Sequence, residues 1–217
     1  MNFAAESSFG IIVILLATAF LPLLAVTVTA FAKVAIVIFI VRNAIGVQQL
    51  PPNIILYGLS LILAAFISTP VIADAFAVVS AQQFSFEEFT DYQEAAELAS
   101  APLREFLTRH ADGEQVGFFL DSTRSIWGER YSAGVDAESM FVLVPSFLLS
   151  ELTAAFEIGF LLYLPFMAVD IIVTTILVAL GMMMVPPTTI AIPFKLMLFV
   201  FLDGWTRIVQ GLILSYA

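Results

Sequence analysis

Between Val178 and Phe194 the chain reads VALGMMMVPPTTIAIPF. Two apolar stretches meet there at a bend, and the bend carries Met182, Met183 and Met184 where polar turn residues are usual. Gly181 suits a helix C-terminus, and the Pro186–Pro187 pair imposes extended backbone just before it. Met182–Val185 is therefore expected to be a non-helical break between two apolar helices. In a continuous helix three successive side chains fan out by about 100° each, whereas in a loop they can project together. Methionine is unbranched and polarizable, so it refits to different surfaces. The bend reads either as a gap filler or interface anchor, or as part of a deformable seal where several copies gather on an axis.

Working outward, the chain has 217 residues, 61% of them hydrophobic and only 12% charged. Soluble domains carry about twice that charged fraction. Long apolar stretches cover Gly10–Val41, Ile54–Ser80, Met140–Leu180 and Thr188–Leu214, each at or above the ~18–20 residues of a membrane-span candidate. The class is an integral membrane protein, or one whose helices bury their flanks against other helices. Cysteine is absent, which excludes disulfides and thiol chemistry. The start, MNFAAESSFG, lacks the basic residues of a secretory signal, so the first apolar segment is read as retained.

The layout is an N-terminal apolar hairpin (1–80), an acidic insert (81–138) and a C-terminal apolar hairpin (139–217). The expected fold is all-α: kinked helical hairpins of long apolar helices with a small helical polar insert. Net charge is −10, and twelve of the eighteen acids fall in the insert against four arginines. Nucleic acid is excluded as a partner, because neutralising phosphate takes clustered Lys and Arg. In the insert, Ser85 and Glu88 fit a capping box ahead of Phe86 and Phe89. Ser100 is placed to cap a second helix with Pro102 in its first turn, and Gly113 to end it. Pro22, Pro145 and Pro165 interrupt the long apolar segments and are expected to kink them. Arg42, in the short connection RNAIGVQQLPPN, puts that loop in the cytoplasm by the positive-inside bias. The insert and both termini then lie outside.

Eight ionisable residues interrupt the apolar segments: Lys33, Asp74, Glu151, Glu157, Asp170, Lys195, Asp203 and Arg207. Each costs roughly 2.5–3.5 kcal/mol at the centre of a lipid-facing helix and so should face protein or water. Asp203 and Arg207 are four apart and can pair on one helix face. The remaining acids outnumber the bases, so some reach water or take partners from another helix or another subunit. Lys195 is expected to pair with an acid, Glu151 of the same or a neighbouring copy being the first choice. A transport path through Glu151, Glu157 and Asp170 and a set of interface ion pairs are equally open readings. No motif flanks Asp170 and Asp203 to support an aspartyl protease. His110 reads as a helix C-terminal residue, and with Glu114 it makes at most half a metal site. No catalytic, cofactor or metal motif appears, so an enzyme is not expected.

Two blocks carry a family resemblance. LYLPFMAVDIIVTTILVALGMMMVPPTTIAIPFKLMLFVFLDGW, Leu162–Trp205, resembles the C-terminal half of the FliP/SctR family, the core export-gate subunit of type III secretion systems. KVAIVIFIVRNAIGVQQLPPNIILYGLSLILAAF, Lys33–Phe66, resembles that family's other conserved block, more in the injectisome than in the flagellar style. The insert is similar in position and character only. The resemblance implies a homopentamer that coils with S/Q-type and T/R-type subunits into a helical oligomeric pore. That pore sits at the bacterial inner membrane within the secretion basal body, beside the export apparatus switch and nonameric ring proteins. Its helices are lifted largely out of the bilayer, and unfolded substrates pass through its centre. It implies a pore gasket at Met182–Met184 and helix or subunit contacts at Glu151, Asp170 and Lys195. The alternative is a stand-alone small transporter or ion channel using its buried acids.

Overall fold

The computed structural model describes residues 19, 22–47, 49–82 and 89–217, and every regular element among them is a helix. After a short helical stretch at 22–27 these are, in chain order, α1 (Phe31–Ile45), α2 (Asn53–Ser80), α3 (Phe89–His110), α4 (Gly113–Trp127), a single turn α5 (Glu129–Ser132), α6 (Met140–Ala179), α7 (Pro187–Phe201) and α8 (Gly204–Leu214). Asn53–Ser80 and Met140–Ala179 are each long and apolar enough to cross a membrane. A third candidate is α7 with α8, bent by 59° at the residues between them.

Helix α1 is the centre of the molecule. Ten of its fifteen residues are buried, Lys33 and Arg42 among them. A helix apolar all round must be enclosed by others, and α1 lies between α2 on one flank and α6 on the other. Its end is marked by Gly46, whose φ of 89° is the left-handed C′ conformation. Helix α2 buries one stripe, Leu56, Ser60, Leu63, Ala64 and Ser68, at helical spacing. Helix α6 does the same with Phe147, Glu151, Ala155 and Gly159, each four residues after the last. One core thus joins both apolar halves: Val34, Val37, Ile38 and Val41 of α1, Leu56 and Leu63 of α2, Ala155 and Phe166 of α6, Phe199 of α7 and Ile208 and Leu212 of α8.

The insert docks through a smaller cluster, Leu107 of α3 against Leu143 and Phe147 of α6. Here the local expectations need correction. Ser100 caps nothing: α3 runs through it and through Pro102, and the Ser100 hydroxyl donates back to the Glu97 carbonyl. Gly113 does not end α3 but begins α4, because Asp112 accepts from the Glu114 and Gln115 amides as N-cap. The Ser85–Glu88 box lies outside the described residues, as do Phe86 and the first eighteen residues. The side chain of Phe89 is likewise not described.

Helix α6 corrects one part of the proline reading, the interruption of the segment. It is one helix of 40 residues through Pro145 and Pro165, about 60 Å long at 1.5 Å per residue. Pro165 lies on the exposed face, so its missing hydrogen bond and its ring face away from the packed side. That length along the helix is about twice the ~30 Å hydrocarbon core. The long helices are mostly bare: 28% of the most apolar window of α2 is buried, and 17% of that of α6.

Candidate functional site

Helix α6 ends in a complete Schellman arrangement. Gly181 takes φ 74°, its amide donates to the Val178 carbonyl at 3.0 Å, and the Met182 amide donates to the Leu177 carbonyl at 2.9 Å. Only glycine adopts that backbone without cost. Pro187 then opens α7 at its first position, where an absent N–H removes no helix bond. Val173 and Leu177 of α6 pack on Ala191 of α7 and close the hairpin behind the bend. The bend itself is bare. Met182, Met183 and Met184 are 45%, 80% and 98% exposed, so among the described residues almost nothing covers the last two.

Beneath this hairpin the charges of the apolar segments are paired, though not as expected. Lys195 reaches Asp170 at 2.6 Å, not Glu151, and also donates to the Ala44 carbonyl at 3.0 Å. Ala44 belongs to the last turn of α1, where carbonyls lack helical partners and a cation is favoured. Lys195 therefore ties α6, α7 and the end of α1 together. Glu151 is taken by Lys33 at 3.0 Å, with both side chains buried. The Tyr216 hydroxyl donates to the second Glu151 oxygen, and the Lys33 ammonium lies 3.7 Å from the centre of the Tyr216 ring. Tyr216, near the end of the chain, went unmarked in the sequence because no local pattern distinguishes it from a tail residue. Its phenol is held well above its ordinary pKa, by burial first and by the Glu151 charge second.

Asp203 and Arg207 form no ion pair with each other among the described residues. Asp203 sits in the left-handed region at φ 50°, outside the helix, so the i,i+4 geometry is lost. Arg42 is no free loop charge. It is buried, donates to the Pro51 carbonyl and the Asn53 side chain, and lies 4.8 Å over the Phe39 ring. It braces the α1–α2 connection.

His110 ends α3, with its ring 4.7 Å from that of Phe106 and 5.1 Å from that of Tyr216. Burial, then Lys33 and Arg109, hold it below the ordinary histidine pKa. Among the described residues no three metal-ligating side chains converge. The arrangement thus comprises a helical frame with two ion pairs at its core, a bare methionine bend at one end and broad apolar flanks exposed among the described residues.

A model of the FliP family matches residues 14–212. A "Probable translocation protein y4yL" of Sinorhizobium fredii is 52% identical over 95% of this chain and 93% of its own length. "Yop proteins translocation protein R" of Yersinia pestis is 45% identical over 95% of each chain. "Hypersensitivity response secretion protein HrcR" of Ralstonia nicotianae is 40% identical over 95% of this chain and 96% of its own.

Proposed function

The chain belongs to the FliP family, and on that premise we propose that it is the pore-forming subunit of a type III secretion export gate. In this reading it is a passive conduit for unfolded proteins at the bacterial inner membrane. It assembles as a homopentamer with S/Q-type and T/R-type subunits, and the Met182–Met184 bends of the copies meet on the axis as a gasket. The observation that carries the reading is a bend of three methionines, exposed up to 98%, held on a rigid hairpin by Gly181 and Pro187. The translocation and secretion roles in the relatives' names support the transport half of it.

The physics of the seal follows from the side chain. Thioether chains with three rotatable bonds pack against one another without a fixed geometry, so a ring of them closes on ions and reshapes round a passing polypeptide. The frame behind them is suited to staying rigid, because Lys33, Glu151, Lys195 and Asp170 are matched in pairs. Those pairings also weigh against the stand-alone transporter, because they occupy Glu151 and Asp170 and leave, among the described residues, only Glu157 of the three acids its ion path would use. No catalytic step is required, and the driving energy enters elsewhere in the machine.

Planar-bilayer conductance of the reconstituted gate tests this. Replacing Met182, Met183 and Met184 by alanine together should raise ion leakage while the complex keeps its size. A variant that assembles and conducts like the parent removes the gasket from the proposal. A particle that purifies only as monomer or dimer favours the transporter.

A further inference from the structure

Pairing the charges of the apolar segments leaves a remainder. Lys33 is matched by Glu151 and Lys195 by Asp170. Among the described residues Glu157 and Arg207 have no ion pair and no side-chain hydrogen bond. Glu157 stands on the outer face of α6 between Phe156, Phe160 and Leu161, all more than 60% exposed. That helix contains no Lys, Arg or His to answer it. Arg207 is exposed on α8, on the side away from the buried Ile208 and Leu212. An ionised side chain beside an exposed apolar face is costly until matched, and each of these residues supplies the charge the other lacks.

The other two unpaired acids have local compensation. Asp203 precedes α8, where a carboxylate is favoured by the helix N-terminus. Asp74 lines a cleft that also contains Arg109, a base it shares with Glu105, which Arg109 reaches at 2.8 Å. Glu157 instead opens on a cleft of about 390 Å³ shared with Asp112, Glu114 and His110, whose two added carboxylates draw a cation. We infer that Glu157 of one copy of this chain pairs with Arg207 of the next, seating the Phe156–Phe160–Leu161 face of α6 on the outer face of α8. The contact is heterologous, each copy giving one acid and receiving one base, so it propagates round a ring or helix. This rests on the gate reading, which requires copies side by side.

The chain has no cysteine, so thiol cross-linking reports introduced positions alone. Two differently tagged copies, one carrying Glu157→Cys and the other Arg207→Cys, are co-expressed with the whole secretion machine and treated with a short bis-maleimide. That reagent spans the α-carbon separation of a Glu–Arg pair, which exceeds disulfide reach. A mixed-tag adduct is expected. In parallel, Glu157→Arg and Arg207→Glu should each lower the yield of assembled gate by about tenfold, and the double reversal should restore most of it. Copies carrying Met184→Cys serve as the reference. Met184 cross-links without the mixed-tag adduct overturn the pairing and leave the gate standing. Loss of both cross-links overturns the two together.

Discussion

Lys33 and Glu151 are 118 positions apart in the chain and 3.0 Å apart in the fold, deep between the central helix and α6. The pair does not stand alone, since Tyr216 completes the carboxylate and lays its ring on the ammonium. Breaking a buried pair leaves an unmatched charge, at a cost of roughly 3–5 kcal/mol, whereas replacing both partners by apolar side chains is often neutral. Lys33→Met and Glu151→Leu should each destabilise the purified complex by about that amount. The double variant should recover most of the loss. A double-mutant cycle in thermal unfolding checks this, and additive losses would show that the residues act independently.

The Lys195–Asp170 pair is less symmetrical. The Lys195 side chain is 7% exposed and the Asp170 side chain 34%, and beside Asp170 lies a cleft of about 640 Å³ lined by Asn43, Gln49 and Thr188. Asp170→Leu strands a buried ammonium, at about 3–5 kcal/mol. Lys195→Met leaves a carboxylate that reaches the cleft, at about 1.5–3 kcal/mol for the lost charged hydrogen bonds. The second variant alone should also fray the end of α1, because Ala44 loses its donor. Hydrogen exchange over residues 42–46 reads that fraying, and denaturant titration reads the order of the two costs.

The helix break at the methionines was legible because its causes are local: glycine permits positive φ, and proline has no amide. The all-α class was legible from segment length and apolar content. Which base meets which acid was not. Glu151 and Asp170 both project from α6, and the choice between them depends on how α1 and α7 are rotated against that helix, which no spacing encodes. Pro145 and Pro165 do not break α6, and for Pro165, on the exposed face, the missing bond is lost without ending a long, packed helix. Gly113 misled because Asp112 offered a better local signal, a carboxylate poised over the amides of Glu114 and Gln115. Asp203 shows the limit of i,i+4 reasoning, since one left-handed residue takes it off the helix.

His110 makes stability depend on pH. Its folded-state pKa lies below the ordinary 6.5, by burial first and then by Lys33 and Arg109. The acids Asp112, Glu114 and Glu157 face it across their cleft, and Glu151 lies beyond Tyr216. A depressed folded value means that the unfolded chain binds the proton more tightly. The contribution is therefore complete above 6.5 and is lost as pH falls through the folded value. His110→Phe keeps the ring packing against Phe106 and Tyr216 and removes the titration. Melting temperatures at about pH 7.5 and about pH 5 should differ less in that variant than in the parent. An equal drop in both would assign the acid sensitivity to the carboxylates.

Gly159 is a point of close approach between α6 and Ile40 of the central helix. A Cβ there would fall 2.4 Å from Ile40 Cδ1, the free end of that side chain, and 3.2 Å from its Cγ2, so an added methyl needs Ile40 to shift and a larger branched side chain asks for more. Overpacking costs roughly 1–3 kcal/mol, while alanine recovers about 1 kcal/mol of helix propensity over glycine. Gly159→Ala should therefore be close to neutral, and Gly159→Val should be destabilising by about 2 kcal/mol. Thermal unfolding of the detergent-solubilised complex separates the two. A harmless valine would mean that α1 and α6 sit further apart than this packing.

Gly181 poses the opposite problem, with open space and a demanding backbone. No atom lies within 4 Å of its missing Cβ, so a side chain there meets no steric bar, but φ is 74°. For an L-residue that conformation costs roughly 1–2 kcal/mol, least for asparagine and most for β-branched residues. The Schellman bonds of Gly181 and Met182 are what turn the chain out of α6 and aim the methionines. Gly181→Asn should therefore preserve secretion and a low leak. Gly181→Val should disturb the bend while leaving the buried ion pairs, and hence overall melting, nearly intact. The measurement is the ratio of ion leakage to complex yield for the two variants side by side. If valine leaks no more than asparagine at equal yield, the position of the methionines is set by their neighbours across the assembly and not by this turn.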